Sequence, residues 1–240
     1  MYEPWIAVGA MLIVFLGAAL QGSVGFGFAV LSVPILTLLD PRFVPVAPQI
    51  LALPMAIAAL LRERGGLDTA GVGWIIVGRV PGALGAAAVL SFAVGRTLDL
   101  LIGSIVLVAV LILGSGVRVP LNRFTRFAAG VFSGFSGTAS AIGGPPVALL
   151  YRNQTGPTVR STLGTIFAIG IVINLVVLVA TGIADKDDLT TALILAPAAT
   201  IGFAASSLLH RRVEGRILQN GILIVATISA VGLLARAAFS

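Results

Sequence analysis

One charged side chain stands inside an otherwise apolar run: Arg79, in the segment WIIVGRVPGALG. A guanidinium stays charged and carries five N–H donors in a planar fork, which suits oxyanions of sulfur, phosphorus or carbon. Arginine is costly in apolar surroundings, so it usually faces an interior cavity and serves a function. The alternatives are a side chain that extends toward a polar interface, or one that caps carbonyls left unpaired by Pro81. We take anion binding as the leading hypothesis.

Two glycine-rich segments, QGSVGFGF and SGFSGTASAIGGPP, interrupt other apolar runs and are the second place where binding chemistry could occur. Glycines let the backbone turn and leave N–H groups uncovered, while hydroxyls add donors. Unpaired backbone at such depth is tolerated only in a protein interior or along a polar cavity. Beside Arg79, the candidate substrate-binding residues are therefore Gln21, Gly22, Ser23, Gly25, Gly27, Ser136, Gly137, Thr138, Ser140, Gly143 and Gly144.

Three prolines and two amides complete the candidate residues. Pro145 and Pro146 suit the first turn of a helix that restarts after a break, where a missing N–H costs little. Pro34 follows the first glycine-rich segment at a matching place, so all three prolines are predicted structural helix breaks. Gln49 and Asn174 are polar residues at depth and are predicted to support the site between helices.

Several kinds of chemistry lack the residues they need. The chain has no cysteine, a single histidine (His210) beside two arginines, and a single lysine (Lys186). No Asp or Glu falls deep in an apolar segment, so a carboxylate proton relay, a general acid or base, or a metal site has no residues to use. The GxxxxGK[ST] motif of ATP-binding loops does not occur. We therefore expect no metal, no cofactor and no enzymatic activity.

The composition places these residues in an integral membrane protein. The 240-residue chain is 58% hydrophobic and 10% charged, whereas soluble domains carry about a quarter charged residues. Its mean hydropathy is +1.10. The net charge of +6 comes from arginines in short loops between apolar runs, which indicates membrane topology and not a nucleic-acid-binding surface. No basic stretch precedes the first apolar run, which favours an uncleaved membrane segment over a signal peptide.

Helices that cross the hydrocarbon need about 20 apolar residues. Two longer regions, about 5–39 and about 127–151, contain the glycine-rich segments, and each is predicted to be a hairpin of two half-helices that enters and leaves on the same side. The helix ends that meet at each break have opposed dipoles, so the anion hypothesis rests on Arg79 and the exposed donors. Six further segments are predicted as single passes: 44–61, 71–91, 98–115, 161–182, 189–209 and 217–236.

The loop charges divide unequally between the two sides of this arrangement. One side has ten basic and three acidic residues, and the other has four basic and six acidic residues. Cytoplasmic loops carry the excess of Lys and Arg, so both termini are predicted to lie outside the cytoplasm. The ten basic residues are Arg62, Arg64, Arg118, Arg123, Arg126, Arg152, Arg160, Arg211, Arg212 and Arg216.

A shift of 112 residues superposes the two breaks. Each half is then a broken hairpin followed by three passes, and the odd number of passes turns the second half over. The sequence therefore predicts an all-α polytopic membrane protein of two inverted repeats, 1–115 and 116–240, a plan common among secondary transporters. Small residues also pack helices closely, and GRVPG (residues 78–82) is assigned to such packing. At the shift of 112 residues, the positions with identical residues in the two breaks are Gly22 and Gly134, Gly25 and Gly137, Ala29 and Ala141, and Pro34 and Pro146.

The stretches GSVGFGFAVLSVP and SGFSGTASAIGGPPVALLYRNQ, in a duplicated apolar chain of this length, resemble the TauE/SafE sulfite exporter family. The resemblance covers essentially the whole chain. It implies a carrier of sulfite, of sulfonates such as sulfoacetate, or of related small anions across the bacterial inner membrane. It implies no ligand-binding residue, so the role of Arg79 rests on the residues alone.

The leading functional hypothesis is a secondary transporter that holds a small sulfur-containing anion between the two breaks and exposes it to each side in turn. An anion channel lined by the same donors is the alternative. An intramembrane enzyme, such as a lipid-phosphate hydrolase, ranks third because no base lies near the hydroxyls. The anion, the direction of transport, the coupling ion (proton or sodium) and the oligomeric state stay open, with a homodimer as one option.

Overall fold

The computed structural model describes residues 3–24, 27–62, 66–93, 95–115, 117–154, 157–209 and 215–239. Every regular element in these ranges is helical, and a short 3₁₀ turn (Pro41–Phe43) joins the second helix to the third. The helices in chain order are α1 (Pro4–Val24), α2 (Phe28–Leu39), α3 (Val46–Arg62), α4 (Thr69–Leu90), α5 (Arg96–Gly114), α6 (Arg123–Ser140), α7 (Gly144–Leu150), α8 (Pro157–Ala180), α9 (Lys186–Leu209) and α10 (Gly215–Phe239).

The long helices have the length and composition of membrane spans. Six of them within the described residues (α1, α3, α4, α5, α8 and α9) are long and apolar enough to cross a bilayer, and α10 has a shorter apolar stretch at Leu223–Phe239. Large apolar side chains such as Leu16, Leu84 and Ile201 are exposed, as expected for a surface that faces lipid. The all-α, multi-pass architecture predicted from the sequence is confirmed.

The first predicted hairpin consists of α1 and α2. Gly9 lies beside Leu39, and the Ser32 hydroxyl donates to the Ile13 carbonyl at 3.4 Å. The two helices therefore run antiparallel, and their outer ends, the ends far from the break, lie together. α1 has 21 residues, about 31 Å of helix, so this arm is longer than the predicted half-helix. Only α2, with 12 residues, is short.

The first break precedes Pro34 and does not involve it. α2 continues through Pro34, which is buried inside the helix, so the prediction that this proline breaks a helix is wrong. Gly27, the residue before α2, has a φ of 119°, which is available to glycine and strained for residues with a Cβ. α2 begins at the next residue.

The second hairpin consists of α6 and the seven-residue α7. Asp68 accepts hydrogen bonds from Arg126, near the start of α6, and from Tyr151, just after α7, so the outer ends of this hairpin also lie together. Pro145 and Pro146 stand in the first turn of α7, as predicted for a restarted helix. Between the two helices, Ala141 takes the left-handed conformation, with a φ of 60°.

The long arm of each hairpin packs against a helix of the other half of the chain. α6 packs mainly on α4, and α1 mainly on α9. A Cβ added at Gly78 would lie 2.2 Å from the Phe127 carbonyl oxygen, and one at Gly82 would lie 2.1 Å from the Val131 carbonyl oxygen. The prediction that GRVPG serves helix packing is confirmed, and this close contact places Arg79 beside α6.

Candidate functional site

A cavity of about 80 Å³ lies between the two breaks. A buried water needs roughly 10–15 Å³ of such space, so the cavity has room for about five waters or for a small anion. Its polar wall residues come from both breaks, from α4 and from α8, namely Gln21, Gly27, Arg79, Gly143, Gly144 and Asn174. Its other wall residues are apolar, namely Phe28, Ala29, Val30, Ala52, Ala56, Ala141, Ile142, Pro145, Phe167 and Ile171.

Arg79 is the one charged residue among those that line the cavity, and only 2% of its surface is exposed. Nη1 donates to Oγ of Ser133, and Nη2 donates to Oδ1 of Asn174 at 3.3 Å. Nε is buried and has no acceptor among the described residues. The ion pairs of the described chain likewise leave Arg79 without a carboxylate. A buried cation without a counter-charge is costly, and an anion in the cavity would offset that cost.

Two polar side chains hold the guanidinium in place. The Ser133 hydroxyl accepts from Nη1 and donates its own proton to the Gly143 carbonyl, which connects α6 to the second break. In the orientation that satisfies its neighbours, the Asn174 carboxamide accepts from Nη2 and donates to the Gly170 carbonyl and to Oγ1 of Thr138, both at 3.0 Å. The guanidinium is thereby fixed to α6 and α8 before any ligand arrives.

Glycines make room for the guanidinium on several sides. A Cβ added at Gly170 would lie 2.3 Å from Cζ and 2.4 Å from Nε of Arg79. A Cβ at Gly137 would lie 3.1 Å from Nη2, and one at Gly143 would lie 3.3 Å from Nη1. The space that a side chain would fill at Gly170 is therefore occupied by the guanidinium.

The other predicted site residues lie at different depths around the cavity. Gly137 and Thr138 form a second layer, in contact with the guanidinium or with Asn174. The Gln49 carboxamide is buried on α3, donates to the Pro45 carbonyl at 3.2 Å and lies 3.0 Å from the Asn174 carboxamide. The two amides predicted as polar support are thus next to each other, and Asn174 contacts the guanidinium.

Four predicted residues face other helices or their own backbone. Gly22 packs against Ser206 of α9, and the Ser23 hydroxyl donates to the Ala19 carbonyl at 2.8 Å. The Ser136 and Ser140 hydroxyls donate to carbonyls one turn earlier in α6, a common arrangement for serine inside a helix. Gly25, also predicted, lies outside the described residues.

Two residues of this site were missed by the sequence analysis: Ser133 as a partner of Arg79, and Gly170 as the residue against which the guanidinium lies. Gly170 precedes Asn174 by four residues, a spacing that puts both on the same face of α8. Ser133 has the same relation to Gly137 on α6. This spacing was the signal available in the sequence.

A charged cluster ties together the outer end of the second hairpin. Asp68 caps the N-terminus of α4 by accepting from the Gly71 N–H at 2.8 Å. It also accepts from Nη2 of Arg126 at 2.6 Å and from the Tyr151 hydroxyl at 2.9 Å. Burial and the hydrogen bond to Asp68 both raise the pKa of Tyr151, so its hydroxyl remains a donor at neutral pH.

A second cluster closes the outer end of the first hairpin. Arg236 of α10 donates from Nε and Nη2 to the Asp99 carboxylate, at 2.6 and 2.5 Å, and also to the carbonyls of Thr37 and Leu38 at the end of α2. Asp68 is the N-cap of α4, whereas Asp99 lies in the first turn of α5, the helix that follows the C-terminus of α4. The two clusters therefore lie at opposite ends of α4. In each cluster the two paired charges, Asp68 with Arg126 and Asp99 with Arg236, come from loops that were predicted to lie on the same side of the membrane.

A multi-pass helical protein with a cation-bearing cavity between two broken hairpins has the makeup of a membrane transporter for a small anion. The model of the family "Sulfite exporter TauE/SafE" matches residues 10–233. The chain therefore belongs to the TauE/SafE sulfite exporter family, as its two motifs predicted. Comparison with curated proteins and comparison with solved structures each gave no match. Membership makes the chain a membrane transporter of anions, in a family of transporters and not of enzymes.

Proposed function

We propose that this protein is a secondary transporter that carries sulfite, or a sulfonate, across the bacterial inner membrane. The anion would bind at Arg79, in the cavity between the two breaks. The observation that carries the proposal is the buried guanidinium, which lines that cavity and has no carboxylate partner in the described chain. A transported anion supplies the missing negative charge only while it is bound.

The hydrogen bonds around Arg79 suit binding that is both selective and reversible. Ser133 and Asn174 occupy two of the five N–H donors and hold the fork in one orientation. The remaining donors, with Nε among them, have no acceptor in the described chain. Because the fork is positioned in advance, little conformational entropy is lost on binding.

We further propose that the two halves, 1–115 and 116–240, are inverted repeats that rock against each other. The reciprocal packing of α6 on α4 and of α1 on α9 supports this relation. So do the charged clusters, which close the outer ends of the two hairpins at opposite ends of α4. Opening of each cluster in turn would expose the cavity to one side and then the other. The loop charges support termini outside the cytoplasm, and a proton or a sodium ion could couple the transport.

Flux measurements in proteoliposomes test the proposal. Arg79→Ala should abolish sulfite and sulfonate flux without loss of folding, since the substitution also removes a membrane-insertion cost. Arg79→Lys keeps the charge but loses the fork, so partial activity is expected. Arg118→Ala is the matched control, because it removes one arginine from an exposed position. Normal flux through the Arg79→Ala protein would overturn the assignment.

The same preparation separates a carrier from a channel. Saturable flux that shows counterflow is expected for a carrier with alternating access. Ohmic single-channel currents would show instead that Arg79 lines a continuous pore, and alternating access would then be wrong.

A further inference from the structure

The cavity offers one positive charge within the described residues. Its described wall contains a single charged residue, Arg79, and ten apolar residues. We infer that the site selects anions with one negative charge and rejects those with two, even at the same size. This inference rests on the proposed function and narrows the class of substrate that Arg79 accepts.

Several other polar groups near Arg79 already have hydrogen-bond partners. The first N–H of α2, that of Phe28, donates to Oε1 of Gln21 at 3.2 Å. The Ser133 hydroxyl proton goes to the Gly143 carbonyl, and the Asn174 amide protons go to Gly170 and Thr138. The guanidinium is the one group of the described lining that offers a ligand a full positive charge, together with its unpaired N–H groups.

Charge balance then decides between ligands. A monoanion on Arg79 leaves a neutral pair, whereas a dianion leaves one negative charge among walls such as Phe28, Ile142 and Phe167. Burial of an uncompensated charge in apolar surroundings is strongly unfavourable. The elements that line the cavity (α1 to α4, α7, α8 and the second break) present no second charged or titratable side chain to it within the described residues.

The inference assigns a protonation state to the substrate. Sulfite would enter as hydrogensulfite, which is one sulfite dianion and one proton, so each hydrogensulfite that crosses also moves one proton. A sulfonate with no second acidic group would fit at any pH near neutral. Sulfoacetate, which carries both a sulfonate and a carboxylate, would be disfavoured by this chain.

Methanesulfonate and sulfate make the direct test, because both are tetrahedral at sulfur and similar in size but carry one and two charges at neutral pH. We expect thermal-shift titrations of the full detergent-purified chain to give a Kd for sulfate at least about tenfold higher than for methanesulfonate. Equal or tighter binding of sulfate would overturn the inference. In that case, Arg79→Ala tests the proposed function separately. If this variant binds neither ligand, anion binding at Arg79 is supported although charge selection is wrong. If it binds both ligands as the wild type does, the proposed function is wrong as well.

The pH dependence of flux gives an independent readout. Because no titratable side chain faces the guanidinium among the described residues, the charge on the ligand should control the profile. At fixed total sulfite, the initial rate should fall as pH rises through the second pKa of sulfurous acid, while the rate for methanesulfonate stays level. A sulfite rate that rises with pH over the same range would contradict selection of the monoanion.

Discussion

The substitution Gly170→Ala probes the site without removing any of its polar groups. The added Cβ would lie 2.3 Å from Cζ of Arg79, whereas ordinary carbon–carbon contacts lie at about 3.5–4.0 Å. The guanidinium would have to move by roughly 1.2 Å or more. Because Arg79 lines the cavity, this displacement would change the position of the guanidinium relative to a bound anion.

The size of the effect follows from the contacts that the displacement breaks. Hydrogen bonds to a charged group contribute about 1.5–3 kcal/mol each, and the bonds to Ser133 and Asn174 both depend on the present position of the guanidinium. Loss of one such contribution from the bound state corresponds to a roughly 10- to 100-fold loss of affinity. We expect the Kd for methanesulfonate, from thermal-shift titration, to rise by that factor.

Gly164→Ala is the matched control for this experiment. It places a methyl group on the same helix, α8, where the nearest atoms, all of Leu60, would be 3.4–3.6 Å away, an ordinary contact. The Kd of Gly164→Ala for methanesulfonate should stay within about twofold of the wild-type value, which corresponds to about 0.4 kcal/mol of binding free energy. If Gly170→Ala bound methanesulfonate as well as Gly164→Ala does, the guanidinium would not be the ligand-binding group that we propose.

Two further predictions concern the break and the end clusters, and both are read from the melting temperature of the detergent-purified protein. Ala141→Gly should stabilise the fold by about 0.5–1 kcal/mol, because alanine is strained at a φ of 60°. The control Ala139→Gly, in α6, should destabilise the fold by about 1 kcal/mol. Equal losses of stability in both variants would contradict the strain at Ala141. Asp99→Asn removes the carboxylate charge that accepts from Arg236 and should cost about 1.5–3 kcal/mol, whereas Asp187→Asn, at an exposed position, should change little. An unchanged melting temperature for Asp99→Asn would show that the pair does not stabilise the fold.

Features that depend on local composition could be predicted from the sequence. The passes follow from the length of the apolar runs, and the breaks from glycine and proline within them. The cation at Arg79 was identifiable because nothing else in its surroundings is charged. These signals need no knowledge of how the helices pack.

Features that depend on the rotation of one helix against another could not be predicted. Ser133 and Asn174 meet Arg79 across 54 and 95 residues of chain, and only the packing of α4 on α6 and α8 brings them together. For the same reason, Ser136 and Ser140 were predicted to bind substrate although their hydroxyls bond the backbone of α6. Composition alone does not indicate which face of a helix points toward the cavity.

The length of the long helix before each break, α1 or α6, could not be predicted from the sequence either. α1 and α6 have 21 and 18 residues, so each is longer than the short helix that follows it, α2 with 12 residues or α7 with seven. Both glycine-rich segments are partly helical in consequence, since α1 continues to Val24 and α6 to Ser140. Glycine content marks the region of a break but does not fix the residue where a helix stops.

An experimental structure of the protein with bound selenite would show where the anion binds, since selenium replaces sulfur in the same oxyanion and gives an anomalous signal. The account predicts one selenium peak in the cavity between the breaks, with selenite oxygens within hydrogen-bonding distance of the Arg79 guanidinium. A cavity closed by dry side chains, with selenium located only at surface arginines, would contradict it.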